Sequence, residues 1–311
     1  MKKINFRKNK STNRGYAAAV GSALFLSLTA IFIRYLTMNF SIPALVLAFW
    51  REAFVAVTLV LIFIIHNSKL FSGVRGHLLF LVGYGFVLAL FNAFWNFSVS
   101  LNGAAVATVL VYSSAGFTIL LGWMVLKEKL TVLKILIAGL SLLGCAFVVN
   151  AFDPKMWGSN NAGMIIGIAS GFVYAVYSIM GRSASKKGLH TWTTIFYIFS
   201  FASCFMLSAN LFFGGSIPGA ASKPGDLLWL GKAWMGWLMV IVLAIGPTLM
   251  GFGLYNVSLQ YLPSSTANLV LMIEPIFTAI VAYALFGELL SPIQILGAGI
   301  ILVSVSLTRK K

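Results

Sequence analysis

Runs of roughly 20 mostly apolar residues recur along almost the whole chain, separated by short polar connectors. A bilayer core of about 30 Å needs about 20 residues of helix at 1.5 Å per residue. Ten runs approach that length: 16–37, 43–65, 78–100, 103–126, 132–150, 162–181, 191–213, 234–259, 264–286 and 292–308. Charged residues make up 9% of the chain and mean hydropathy is +0.96, so too little polar side chain exists to cover a water-facing surface. The longer connectors, 67–77, 151–161 and 214–233, leave no room for an extramembrane domain. The fold class read from this pattern is an all-α integral membrane protein of ten transmembrane helices. The first run, near 22 residues, exceeds the about 7–15 of a signal-peptide core and is read as the first span.

A net charge of +16 would suit a nucleic-acid binder, but the 22 Lys and Arg lie in short clusters between apolar runs. They divide unevenly: 17 fall on the side of the two termini, three (Lys155, Lys223 and Lys232) on the other, and Arg34 and Arg51 within spans. By the positive-inside rule both termini are expected in the cytoplasm, with the chain in the cytoplasmic (inner) membrane. The expected partners are the lipid bilayer and a small-molecule substrate, with no nucleic acid. Cys145 and Cys204 sit inside apolar runs and offer neither a disulfide framework nor a metal site.

Shifting the chain by 160 residues aligns Asn96-Phe97-Ser98 with Asn256-Val257-Ser258, Phe117-Thr118 with Phe277-Thr278, and Glu128 with Glu288, giving 12 identities in 48 positions. A shift of 148 pairs Gly15 with Gly163, Ser22 with Ser170 and Arg34 with Arg182. Two five-helix halves result, and because five is odd they enter the membrane from opposite sides, as an inverted repeat. The expected organisation is a basic cytoplasmic tail over 1–14, a first repeat over 15–150, a linker over 151–161, a second repeat over 162–308 and a short tail over 309–311. Glu128 then falls at the cytoplasmic edge and Glu288 at the outer edge.

The segment Glu274-Pro275-Ile276-Phe277-Thr278 through Phe286-Gly287-Glu288, followed by Gly297-Ala298-Gly299, resembles the EamA-like family of the drug/metabolite transporter superfamily. A weaker copy ends at Lys127-Glu128-Lys129-Leu130, and Arg51 after Phe49-Trp50 is also similar to that family. The resemblance covers nearly the whole chain and implies a metabolite transporter without naming its substrate.

A charge near the bilayer centre costs about 2.5–3.5 kcal/mol on insertion scales, so each one needs a partner or a wet cavity. Arg51 and Glu274 lie about 12 and 15 Å into their spans at 1.5 Å per residue. The functional reading has Arg51 hold a substrate carboxylate and Glu274 hold an amine or the coupling proton. The alternative is an internal ion pair of Arg51 with Glu52 or Glu274 that fixes packing. Asn92 and Asn96, four apart, and Ser170 with Tyr174 make polar stripes at helical spacing. Ser114, Asn256 and Asn268 join through the repeat and their depth, and Trp50 and Trp95 as aromatic walls. Hydrogen bonding between helices is the plain alternative for each. Gly163, Gly167 and Gly171 form a smooth helix face, and Gly246-Pro247 offers a bend.

No phosphate-cradling glycine loop precedes a Lys-Ser/Thr pair, and neither catalytic residues nor a cofactor or metal site is expected. His66, His77 and His190 are scattered and the six acids do not cluster, which disfavours a membrane enzyme; no filter sequence points to a channel. The expectation is a secondary active transporter for a small polar or amphipathic metabolite such as an amino acid, with efflux the favoured direction and proton coupling open.

Overall fold

The computed structural model describes residues 2–65, 74–102, 104–149, 151–152, 161–217, 219–286 and 291–308. Gly287 and Glu288, most of the 151–161 linker, His66, Lys69 and the 309–311 tail lie outside the described residues. Within them the fold is all-helical: α1 Lys2–Phe40, α2 Ala44–Ile65, α3 Leu78–Asn102, α4 Ala104–Tyr112, α5 Ser114–Leu126, α6 Val132–Val148 and α7 Asn161–Lys186. There follow α8 Thr191–Phe213, α9 Trp234–Leu243, a π-helical turn Ala244–Met250, α10 Gly251–Tyr261, α11 Ser264–Leu271, α12 Glu274–Phe286 and α13 Pro292–Leu307.

Eight segments of the described chain are long and apolar enough to cross a bilayer, several of them built from two consecutive helices. The other two expected spans form α6 and α13, of 17 and 16 residues. At 1.5 Å per residue these reach about 24–26 Å, short of a full hydrocarbon core. α1 starts at Lys2 within the basic segment and continues through Gly15 to Phe40. The outward surface carries side chains that water would reject, among them Leu79 at 86% exposure and Phe212 at 77%. With the backbone groups paired inside helices, this is the surface of a multi-pass membrane protein.

The closest helix pairings are α3 with α7, α6 with α13, α1 with α10 and α2 with α8, so each joins a helix before residue 150 to one after 161. Small residues permit this. A Cβ on Gly167 would stand 2.5 Å from Leu110 Cδ1 and 2.6 Å from Ser98 Oγ, and one on Gly144 would stand 2.9 Å from the Gly297 carbonyl. One apolar core surrounds Tyr84, Tyr177, Phe199 and Tyr255, and a second gathers Ile119, Ile137, Met272 and Ile301. The cavity described next lies where the two meet.

Candidate functional site

Two helices are interrupted beside one cavity. α4 stops at Tyr112 and α5 starts at Ser114; α11 stops at Leu271 and α12 starts at Glu274. The causes differ. Ser113 donates its hydroxyl to the Leu110 carbonyl at 2.6 Å, competing with the helix's own bonding. Pro275 lacks a backbone donor and its ring crowds the carbonyl four residues back, at Leu271. Ser113 and Ile273 are nevertheless 160 residues apart, the offset at which the sequence aligns with itself. Pro247 sits inside the π-helical turn, where Thr248 donates to the Leu243 carbonyl at 2.9 Å.

The two interruptions open a cavity of about 420 Å³. Tyr112 and Ser114 reach it from one break, Leu271, Glu274 and Pro275 from the other, and Arg51, Asn92, Trp95, Tyr174, Asn268 and Thr278 from the surrounding helices. Phe91, Val111 and Phe252 complete an apolar lining typical of small-molecule sites.

Arg51 and Glu52 are joined through α3. Arg51 Nη2 donates to Asn92 Oδ1 at 2.7 Å, and Asn92 Nδ2 donates to Glu52 Oε1 at 2.5 Å. Asn96 Nδ2 donates to the Asn92 backbone carbonyl at 2.8 Å. All four side chains are buried, Glu52 completely. Arg51 and Asn92 line the cavity, whereas Glu52 sits behind them. Arg51 and Glu52 thus both bond Asn92, whose amide lies between the charges.

Glu274 occupies the first turn of α12, where unsatisfied N–H groups and the helix dipole favour a carboxylate by about 0.3–1 kcal/mol. Tyr112, from the opposite break, lines the same cavity. Thr278 donates to the Glu274 carbonyl at 3.2 Å and to the Ser27 carbonyl at 3.3 Å, which ties α12 to α1. Ser114 Oγ bonds Asn268 Oδ1 at 3.4 Å, and Asn268 Nδ2 donates to Thr118 at 3.2 Å.

Of the candidate residues, Arg51, Asn92, Trp95, Ser114, Tyr174, Asn268 and Glu274 come together on the cavity wall, and four do not. Asn96 braces Asn92 from behind. Ser170 turns back to the Gly167 carbonyl at 2.6 Å. Asn256 donates to Tyr177 at 2.7 Å and accepts from Tyr84 at 3.1 Å. Trp50 bonds the Leu227 carbonyl at 2.7 Å and packs edge-on against Trp237, in the 214–237 region. Thr29, Thr108 and Gln294 line the cavity without having been singled out, and so does Thr278, noted in the sequence only for the repeat and the family resemblance. Thr278 was reachable as the residue one turn after Glu274, and Gln294 as the fourth position of the Ser291 capping box.

Away from the cavity, at the α5–α6 turn, Glu128 closes a contact across the two halves of the chain. Its Oε1 accepts from Ser264 N and Oγ, both at 2.7 Å, and its Oε2 from Ser265 Oγ at 2.6 Å. Burial alone would raise the Glu128 carboxyl, but the Ser265 and Ser264 hydrogen bonds outweigh it and hold the group below the usual carboxylate range. Lys134 Nζ also donates to Ser265 Oγ, at 2.9 Å.

Comparison with known proteins agrees with this architecture. The model of the EamA-like transporter family matches residues 13–150 and 161–309. An uncharacterized transporter of Archaeoglobus fulgidus is 28% identical over 223 residues, which is 70% of this chain and 73% of that protein. The threonine/homoserine exporter RhtA of Escherichia coli is 26% identical over 142 residues, covering 46% of this chain and 43% of the exporter. The uncharacterized inner membrane transporter YicL of Salmonella typhimurium is 24% identical over 306 residues, 96% of this chain. A crystal structure superposes with a TM-score of 0.75 over 97% of both chains at 15% identity, a likeness of fold. Family and relatives point to a transporter rather than an enzyme. The chain belongs to the EamA-like transporter family of the drug/metabolite transporter superfamily.

Proposed function

We propose that this protein is a secondary active transporter that moves a small polar or amphipathic metabolite, such as an amino acid, across the cytoplasmic membrane by alternating access. The observation that carries the reading is that Arg51 and Glu274 line one cavity, which two helix breaks 160 residues apart also border. A cation and a carboxylate in one enclosed space of about 420 Å³ suit a zwitterion, with Arg51 taking the carboxylate and Glu274 the amine or the coupling proton. Trp95, Phe91 and Tyr174 offer apolar area for the rest of the molecule. The partial match to an exporter of threonine and homoserine favours efflux of such a compound.

In this reading the chain makes ten crossings as two inverted halves, with both termini in the cytoplasm. The cavity reaches Val148, Val149 and Gln294, at the end of α6 and the start of α13, and these become its outer side. Glu128 with Ser264 and Ser265, and the Tyr84–Asn256–Tyr177 hydrogen bonds, then stand on the cytoplasmic side and hold it closed. Flux of radiolabelled amino acids into proteoliposomes, with and without a pH gradient, tests the proposal. Failure of every amino acid to exchange would remove the zwitterion reading.

A further inference from the structure

Glu52 is fully buried and stands one residue from a guanidinium that faces the cavity, yet it does not reach the cavity itself. Asn92 accepts from Arg51 and donates to Glu52 Oε1. The other carboxylate oxygen, Oε2, accepts no hydrogen bond, and Arg51 Nε donates none. The elements with the most extensive packing on α2 are α3, α8, α9 and Ala244–Met250, none of which carries an Asp, Glu, Lys, Arg or His; the 214–233 connector also meets α2, through Leu45 and Trp50, and carries Lys223, Asp226 and Lys232. The titratable groups on those four elements are Tyr84, Tyr197 and Cys204, and the charged group nearest Glu52 in the chain is Arg51 beside it.

An anion out of water with one oxygen unbonded is held as an anion chiefly by its neighbouring cation. The guanidinium has five donors, no acceptor and a charge it does not give up. A ligand carboxylate that docks on Arg51 from the cavity therefore puts two anions on one cation. Two carboxylates sharing such a site do not both stay ionised. The resident group can restore balance by taking a proton on Oε2, where no hydrogen bond is lost.

We propose that Glu52 is the resident counter-ion of Arg51, and that an anionic ligand group binding at Arg51 brings about one solvent proton onto Glu52, with Asn92 as the positioning residue between them. At a pH above the Glu52 titration the charges before binding are one cation and one anion; afterwards they are one cation, the ligand anion and a neutral carboxyl. The only covalent bond formed in the protein is the O–H of Glu52. This rests on the reading of the cavity as a carboxylate-binding substrate site. It adds a proton of opposite sense to any at Glu274, since an amine arriving at Glu274 would expel a proton.

The test is calorimetric titration of purified protein with L-threonine, L-phenylalanine and n-butyrate, in buffers of different ionisation heat. The expected result is uptake of about one proton more in the wild type than in Glu52→Gln, and an affinity that falls about tenfold per pH unit above the Glu52 titration. Glu52→Asp should restore the pH dependence, and Glu274→Gln should leave the n-butyrate-linked uptake in place. Infrared difference spectra of the wild type give a measurement independent of how well Glu52→Gln folds: n-butyrate should raise the carbonyl stretch of a protonated carboxyl, and the band should persist in Glu274→Gln. Binding with equal proton uptake in wild type and Glu52→Gln, or without that band, overturns the role of Glu52 and leaves the cavity reading intact. If none of the three probes binds the wild type, the carboxylate site itself falls, and this inference with it.

Discussion

The carboxylate of Glu128 accepts both the backbone N–H and the hydroxyl of Ser264 at 2.7 Å, so a residue 136 positions earlier caps the first turn of α11. Helices normally find such a cap one to three residues away in sequence. Here the cap crosses from one half of the chain to the other, and α11 leads directly to the break before Glu274.

Glu128→Gln and Glu128→Ala should therefore destabilise the protein, with about 0.5–2 kcal/mol lost for the cap in the alanine variant. The sign with pH follows from the depressed Glu128 value. A carboxyl held lower in the folded than in the unfolded chain contributes stability above its unfolded value and loses it as pH falls through the folded one. Thermal unfolding in detergent should show a wild-type advantage over Glu128→Gln at neutral pH that shrinks on acidification below the ordinary carboxylate range. An advantage unchanged by acid would mean that the Glu128 charge is not what holds Ser264.

Arg51→Ala should cut flux about 10- to 100-fold, the loss expected from a charge-assisted bond worth about 1.5–3 kcal/mol. It also leaves Glu52 buried without its cation, a change that typically costs about 3–5 kcal/mol. Replacing Arg51 and Glu52 together by apolar residues should recover the unfolding temperature but not the flux. Recovery of both would reduce the pair to a packing device.

Glu274→Gln should preserve binding and exchange and lose accumulation driven by a pH gradient, if Glu274 carries the coupling proton. If it holds a substrate amine instead, binding itself should weaken, and n-butyrate should be less affected than an amino acid. A variant with binding, exchange and gradient-driven uptake all intact would leave Pro275 and the helix break as the reason for the motif.

Cysteines placed at Ser11 and Ser222 should label from opposite sides of the membrane with an impermeant thiol reagent in intact cells. The background needs Cys204→Ser, because Cys204 is exposed while Cys145 is buried. Equal labelling of both positions would refute the ten-crossing arrangement.

Gly171→Val should destabilise by about 1–3 kcal/mol, the usual cost of overpacking. A Cβ there would press on Ser113 Oγ and stand 3.1 Å from the Leu110 and Val111 carbonyls, at the break between α4 and α5. Transport should fall more steeply than stability, since the displaced break carries Tyr112 and Ser114. Parallel losses in unfolding temperature and flux would show that the glycine serves packing alone.

The membrane class, the approximate helix limits and the kinship of Glu274-Pro275 with a transporter family were legible because hydrophobic length, positive charge placement and a proline's missing donor are properties of local sequence. The two helix breaks stand at the internal offset of 160, but the apolar runs 103–126 and 264–286 read as continuous spans in the sequence, and Ser113, with no proline near it, could not be read as a break in advance. Contact across the bundle was not legible. Asn92 and Asn96 looked equivalent at four-residue spacing, and only the packing of α3 against α2 turned the first towards Arg51 and Glu52 and left the second bracing its backbone. Asn256 and Asn268 looked equally deep, yet neighbouring tyrosines consumed the first while Ser114 and Thr118 fixed the second beside the cavity. A buried polar group goes where its hydrogen bonds can be met. Apart from the Asn92 carbonyl that Asn96 bonds, those partners lie 40 or more residues away in the chain, so the tertiary structure decided which polar residues face the cavity and which hold the walls together.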